Sequence, residues 1–412
     1  MKHHLHQRFL KAREDFPAIM ASQSVYLDSA ATSHKPSAVI KAMSDFYETG
    51  YATVNRAVYR KALLATDLYN NAREKIARFI NASSPSEVIF TKGTTDSINI
   101  FADSFSRSFL KPSSRILVSE MEHHSNLIPW QIAAASSGAH LERIPITPEG
   151  ALSLDALREL LSLGNVTVVA VTHCSNALGT INPISIIAAM AHEYGAYLLV
   201  DGAQAAPHIP LDMQALGCDA YAFSAHKMCG PTGIGVLWAR ESLLDSLPPT
   251  RGGGDMIDTV TFSSSTWAEL PLKFEPGTPP IAEAIGFGAA VDYLNALSLP
   301  AIHEYETELS SYLTSRLLSI SSLQLVGTAL PRGPLQSFHI KGAHPLDIAT
   351  LLDLEGIAVR SGHLCCQPLL ARLSLTALTR ASLAFYNTFD DIDRCVEALE
   401  KVVKKLLYIQ IR

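Results

Sequence analysis

Residues 166–201 read VTVVAVTHCSNALGTINPISIIAAMAHEYGAYLLVD, and this stretch decides the fold. Val166–Thr172 is a short, β-branched apolar run, the signature of a strand buried on both faces. Ile184–Tyr194 follows with a helical pattern, and Ala196–Val200 (AYLLV) is a second buried-strand run. The same grammar extends outward in both directions. Glu87–Thr91 (EVIFT), Arg115–Ser119 (RILVS), Ala220–Ser224 (AYAFS) and Gly235–Ala239 (GVLWA) are apolar runs of strand length, and Ser153–Leu163 is another helical stretch. Strands alternating with helices at this spacing predict an α/β fold, with a mostly parallel sheet covered by helices on both faces.

After residue 250 the pattern changes. RGGGDMI and FEPGTPP read as loops, and helical patterns follow at Ile281–Ala296 and Ile302–Leu318. The last hundred residues read as a smaller α+β unit. It has a strand at Gln336–Ile340, a helix from Pro345, a short strand at Ala358–Arg360 and a helix from Phe389. Asp390 and Asp391 suit the start of that last helix and Lys401, Lys404 and Lys405 its end, because each set complements the helix dipole.

Composition narrows the function classes. The 412 residues are 48% hydrophobic and 17% charged, enough apolar material for a large core. A formal charge of −6 with no basic block argues against nucleic acid or an anionic membrane as the main partner. The charged start MKHHLHQRFLKARED lacks a signal-type apolar run, and no stretch reaches the roughly 18 apolar residues of a spanning helix. A cytoplasmic protein without membrane segments is therefore expected. Six cysteines, Cys174, Cys218, Cys229, Cys365, Cys366 and Cys395, are too scattered for a disulfide framework and include no C-x-x-C pair. His3, His4 and His6 can bind metal, but a solvated chain start is the ordinary reading, and no metal site is expected.

In open α/β sheets ligands bind beyond the carboxyl ends of the strands. After EVIFT come Gly93, Thr94 and Thr95 before a helical pattern, which reads either as a phosphate cradle or as a plain helix cap. After RILVS come His123 and His124, rings able to stack on a flat cofactor or to move a proton. After VTVVAVT comes Asn176. After AYLLV come Asp201, a carboxylate that needs a cationic partner, and Gln204. After AYAFS come Ser224, His226 and Lys227 before a Gly/Pro-rich turn, and a desolvated lysine there is an amine nucleophile able to form a Schiff base. Each alone has an ordinary structural reading. Together they form the set that pyridoxal phosphate needs: a phosphate cradle, a stacking ring, an acid for the ring nitrogen and a lysine.

With those residues in place, EMEHHSNLIPW, VTHCSNALGTINP, LLVDGAQAAPH, FSAHKMCGPTGIGVL, GIAVRSGHLC and RASLAFYNT resemble the group II (SUF-type) cysteine desulfurases and selenocysteine lyases of the class V aminotransferase superfamily. The resemblance runs from YLDSAAT at Tyr26 to the C-terminus. It implies fold type I, with a large cofactor-binding domain over 28–293 carrying a seven-stranded sheet and a small domain formed by 1–27 and 294–412. It implies that Lys227 holds pyridoxal 5'-phosphate and serves as base at the substrate Cα. Asp201 would pair with the ring nitrogen, Gln204 with the phenolic oxygen, and His124 would stack over the ring and take part in catalysis. Thr94, Thr95, Ser224 and His226 would hold the phosphate, with Thr278 reaching the phosphate of a partner subunit in a homodimer. Arg380, with Asn176 and Arg360, would bind the substrate. Cys365 would take sulfur from L-cysteine as a persulfide, leave L-alanine, and pass the sulfur to an acceptor protein for iron–sulfur cluster assembly; selenocysteine lyase activity can accompany this.

The chain departs from the family pattern at several positions. Asn55-Arg56-Ala57-Val58-Tyr59 stands where H-R-G-x-H is usual, Pro280 replaces an asparagine, and Ala282 and Glu283 replace glycines. Cys366 stands where alanine is common, and reads either as a second sulfur acceptor or as a neutral replacement. The rival readings are an aminotransferase of the same fold and a near-inactive subunit that binds cofactor and a partner protein.

Overall fold

The strands form where apolar residues are spaced too closely for one-sided burial. The structure, a computed structural model, describes residues 2–409, without the side chains of 2–4 and 407–409. Its central sheet has seven strands: β1 (Val88–Thr91), β2 (Arg115–Ser119), β3 (His140–Ile144), β4 (Val166–Thr172), β5 (Tyr197–Asp201), β6 (Ala220–Ser224) and β7 (Gly235–Ala239). Their order is β1-β7-β6-β5-β4-β2-β3. β7 is antiparallel to both its neighbours, and the pairs from β6 across to β3 are parallel. The expected mostly parallel seven-stranded sheet is therefore present.

Six of these strands coincide with the apolar runs to within a residue or so, and β3 does not. HLERI is an edge strand with exposed and half-exposed side chains, so no apolar run announces it. Arg115 on β2 instead holds it by a two-pronged ion pair to Glu142, 2.6 and 2.7 Å. A hairpin of Ile257–Val260 and Ser265–Trp267 is also unannounced in the sequence, and its tip residue Phe262 is fully exposed.

Four antiparallel strands form a second sheet: β8 (Leu323–Val326), β9 (Leu335–Ile340), β10 (Arg360–Gly362) and β11 (Leu378–Ser382), in the order β8-β9-β11-β10. The last helix runs over Phe389–Ile409 with Asp390 and Asp391 in its first turn. It continues past Lys405, so the three lysines lie inside it rather than at its end; burial of its own apolar face, Val396, Leu399 and Val403, outweighs the dipole signal. The side chains of His3 and His4 lie outside the described residues. His6 lies 3.3 Å from the Tyr305 hydroxyl, and no cluster able to hold a metal ion occurs among the described residues. No single helix among them is long and apolar enough to cross a membrane.

One buried ion pair fixes the loop that precedes Thr278. Glu275 accepts two hydrogen bonds from Arg73 at 2.7 and 2.8 Å, one from the Tyr69 hydroxyl at 3.0 Å and one from Phe90 N at 2.6 Å. Both side chains are about one-twentieth exposed. Removing one partner leaves the other as an uncompensated buried charge. Glu275→Leu is expected to lower the unfolding free energy by about 3–5 kcal/mol, read by denaturant titration, and the paired change Arg73→Leu/Glu275→Leu to recover part of that loss.

Candidate active site

A cavity of about 530 Å³ opens at the carboxyl ends of the central strands. Thr94, Thr95, Asn176, Asp201, Gln204 and Ser224 line it, and so do His226, Lys227, Arg360, Cys365 and Arg380. Eleven residues singled out from different loops thus converge. Two others do not. Thr278 lies in a separate cleft with Lys92 and Arg251. His124 is absent from the lining, and His123 stands in its place.

The exchange of histidines follows from the backbone. His123 is extended and caps the single turn His124–Asn126, its Nδ1 accepting from Ser125 N at 3.1 Å. Adjacent residues entering a turn point in different directions, so only one ring can face the cavity. His124 faces the nucleophile loop instead: its N–H donates to Cys365 O at 2.7 Å and its Nε2 accepts from Gln367 N at 3.1 Å. His123, not His124, is therefore the ring that lines the cavity.

At the floor, Asp201 ends β5 and is buried. One carboxylate oxygen accepts from Ala203 N at 2.9 Å, and the other has no protein partner among the described residues. Burial raises its pKa, and the Ala203 N–H and Lys227 oppose that rise. Lys227 follows β6, is half-buried and lines the cavity. Burial pushes its ammonium down to about 8, with Asp201 raising it and Arg380 lowering it. No ion pair joins Lys227 to Asp201 among the described residues, so the two groups face one space without touching.

The phosphate end is built by close backbone approach. Gly93, at φ +147°, precedes a helix over Thr94–Phe109. A Cβ on Gly235 would lie 2.5 Å from Gly93 Cα, so β7 can pass beneath this turn only as glycine. Ser224 Oγ accepts from Thr94 N at 2.7 Å, and Thr95 Oγ1 lies 2.6 Å from Ser125 Oγ. His226 Nδ1 lies 3.2 Å from Thr32 Oγ1, leaving Nε2 without a protein partner among the described residues. Burial, with Lys227 and Lys35 nearby, lowers His226 to about 4. Gln204 Nε2 donates to Ala30 O at 2.7 Å.

At the other end, Arg360 and Arg380 sit opposite each other on β10 and β11. Like charges directly across a strand pair repel. Asp28 lies between them, accepting from Arg360 at 2.6 Å and from Arg380 at 3.2 Å. Arg380 also donates to Asn176 O at 3.0 Å, while its buried Nε has no partner among the described residues. Cys365 is exposed and the other five cysteines are buried. Cys366 is turned inward, its Sγ donating to His363 O at 3.2 Å and its pKa pushed up to about 12 by burial. That arrangement favours the neutral-replacement reading of Cys366 over a competing acceptor.

Behind the lining, Glu122 takes hydrogen bonds from Ser119 Oγ, Asn126 Nδ2 at 2.6 Å and Thr172 N at 2.8 Å. It ties the His123 turn to the end of β4, where Thr172 pairs with Asp201. Glu122 and Ser125 lie within EMEHHSNLIPW and Cys174 within VTHCSNALGTINP, but no pattern in the sequence singles them out, and sequence reading assigned none of them a place in the site.

The residues present fit pyridoxal phosphate. The unpartnered Asp201 oxygen suits a ring N–H, the amine stands apart from it, and an N-terminal helix turn with hydroxyls suits a phosphate. The comparisons agree. The Aminotransferase class-V family profile matches residues 25–395. A protein described as "Probable cysteine desulfurase" from Halalkalibacterium halodurans is 50% identical over 93% of this chain and 94% of its own length. A "Cysteine desulfurase" from Escherichia coli K12 is 45% identical over 96% of this chain and 98% of its own. The crystal structure of the cysteine desulfurase CsdA from Escherichia coli superposes with a TM-score of 0.90 at 37% identity, covering 97% of this chain and 99% of that one. The chain belongs to the class-V aminotransferases. Within them it is one of the cysteine desulfurases.

Lys227 sets a measurable pH dependence. An amine is nucleophilic only when deprotonated, so cofactor capture by the stripped protein should rise as pH passes about 8 and then level off. Absorbance of the bound cofactor reads this, and a rise that continues toward 10 would show an unshifted lysine.

Proposed function

We propose that this enzyme uses pyridoxal 5'-phosphate to take sulfur from L-cysteine onto Cys365, releasing L-alanine. The observation that carries the reading is the convergence of Lys227, Asp201, Arg380 and the exposed Cys365 on one cavity. When bound, the cofactor supplies an electron sink for charge developing at the substrate Cα. Lys227 holds the cofactor and moves the Cα proton. Arg380 binds the substrate carboxylate through its guanidinium at the cavity, with Asn176 and Arg360 beside it. His123, kept neutral because burial and Lys227 lower it to about 4, covers the ring as an uncharged face. Thr94, Thr95, Ser224 and His226 hold the phosphate. The Cys365 thiolate attacks the substrate Sγ: a sulfur–sulfur bond forms, the Cβ–Sγ bond breaks, and Cβ keeps the electron pair and takes a proton. The persulfide then passes to an acceptor protein.

Further parts of this reading rest on the same features. A homodimer is supported by Thr278 lying outside the cavity and by exposed Val58, Tyr59, Leu63, Leu64 and Leu68 on neighbouring turns. The short Gly362–Cys365 segment supports the SUF-type branch and iron–sulfur cluster assembly as the destination of the sulfur. Six free thiols suit the reducing cytoplasm. The division into 28–293 and 1–27 with 294–412 is supported by Arg13, which bonds Asp391 at 2.7 Å across the two chain ends.

Mass spectrometry after incubation with cysteine, without reductant, is the test. One added sulfur on the peptide bearing Cys365, with alanine released, is expected. A keto acid product would favour an aminotransferase, and a loaded but unreactive protein a scaffold. Arg380→Lys keeps the charge but loses the planar fork, and should lower kcat/KM for cysteine by about 2 kcal/mol or more, roughly 30-fold.

A further inference from the structure

The loop that carries Cys365 is strained and is held almost entirely through its backbone. Leu364 and Cys365 both have left-handed φ values, +52° and +54°, after Gly362 at +116°. Non-glycine residues in that region cost about 1 kcal/mol or more each, so such a turn persists only where its surroundings over-determine it. The restraints are specific. Asn176 Nδ2 donates to Leu364 O at 2.7 Å, and His124 N donates to Cys365 O at 2.7 Å. Two further restraints run the other way. Cys365 N donates to His363 Nδ1 at 3.1 Å, and Gln367 N donates to His124 Nε2 at 3.1 Å. The two rings lie 5.7 Å apart, centre to centre.

A ring nitrogen that accepts from a backbone N–H must carry a free lone pair. In a protonated imidazole both nitrogens are donors, and the same contact becomes N–H against N–H. The loop is therefore secured by two acceptors that vanish on protonation, at positions flanking the thiol on both sides. The charged and titratable groups facing His124 are His123 on its own turn and His363 and Cys365 on the loop. Burial and His363 both disfavour a charge on His124, so the accepting form holds at neutral pH.

We propose that His124 and His363 are positioning residues for Cys365: their ring nitrogens accept from the backbone N–H groups of residues 367 and 365 and hold the thiol at the cavity, and loss of the His124 acceptor on protonation releases the loop. This rests on Cys365 being the nucleophile for its consequence, but not for its geometry. The clamp explains why a thiol that must meet both a buried substrate and an external acceptor is mounted on a strained turn rather than on a strand.

The experiment is amide hydrogen exchange of the cofactor-loaded enzyme, following the peptide across residues 363–370 and correcting for intrinsic exchange. His124→Leu should lose protection about 5-fold at pH 7.5, the worth of one hydrogen bond of about 1 kcal/mol. Wild-type protein should approach the same loss only on acidification well below the ordinary imidazole range, because burial and His363 lower His124, whereas His124→Gln, which keeps an acceptor that does not titrate, should stay protected throughout. His363→Gln tests the second ring in the same way, should His124→Leu fail to fold. Single-turnover persulfide formation on Cys365 should slow by a similar factor in His124→Leu, with KM for cysteine unchanged. Equal protection in wild type and His124→Leu, or acid sensitivity retained in His124→Gln, overturns the clamp. Absence of persulfide in every chain, with the exchange pattern as expected, would instead sink the nucleophile assignment and leave the clamp standing.

Discussion

Asp201, buried, and Lys227, half-buried, come off adjacent parallel strands and line the same cavity without forming an ion pair. Each is a costly group to bury alone, and at their separation each only partly relieves the other. Asp201 is driven toward its neutral form and Lys227 toward its free amine, while their mutual attraction opposes both shifts. This is the chemical state a cofactor site requires: an amine ready to react, and a carboxylate that gains most when a cationic ring nitrogen arrives. The remaining architecture serves to keep these two groups buried, separate and fixed.

Fixing them is done by packing and by polar groups one layer back. A Cβ on Gly202, directly after Asp201, would fall 1.9 Å from the Tyr221 ring, so the strand end is pressed against β6 with no room to shift. Tyr221 in turn bonds the buried His173 at 2.8 Å. Glu122 joins the His123 turn to β4, and Asp28 bridges Arg360 and Arg380 on the second sheet. Asp28 matters beyond its charge. Ser29 N bonds Ser382 O and Leu27 O accepts from Ser382 N, so the segment bearing Asp28 runs along β11 and carries the second sheet to the mouth of the cavity.

How much of this the sequence discloses follows from what kind of residue does the work. Buried parallel strands must be apolar on both faces, so β2, β4 and β6 match their apolar runs residue for residue. Residues at strand ends inherit that clarity, which is why Asp201, Ser224 and Lys227 are legible. β3 is held by a cross-strand ion pair on an edge, and the hairpin at 257–267 leaves even Val260, Phe262 and Trp267 exposed, so it has no buried face to betray it. The choice between His123 and His124 depends on one turn of backbone, which residue identity does not encode. Glu122 and Glu275 act as hubs for hydrogen bonds from distant segments, and such partners become visible only in three dimensions.

The six cysteines show how burial assigns reactivity without any change of residue type. Cys174 lines the same cavity as Cys365, and Cys366 is its immediate neighbour, so proximity alone would allow three thiols to compete for one sulfur. Burial pushes Cys174 and Cys366 up to about 12. Both are thereby held as thiols at neutral pH, and the thiolate is the attacking form. Of the six, Cys365 alone is exposed, lining the cavity with Arg360 on a turn that an ordinary strand or helix would not supply. The left-handed turn thus has a chemical purpose: it turns one sulfur outward while the next residue in sequence, carrying the same group, is folded under and kept inert.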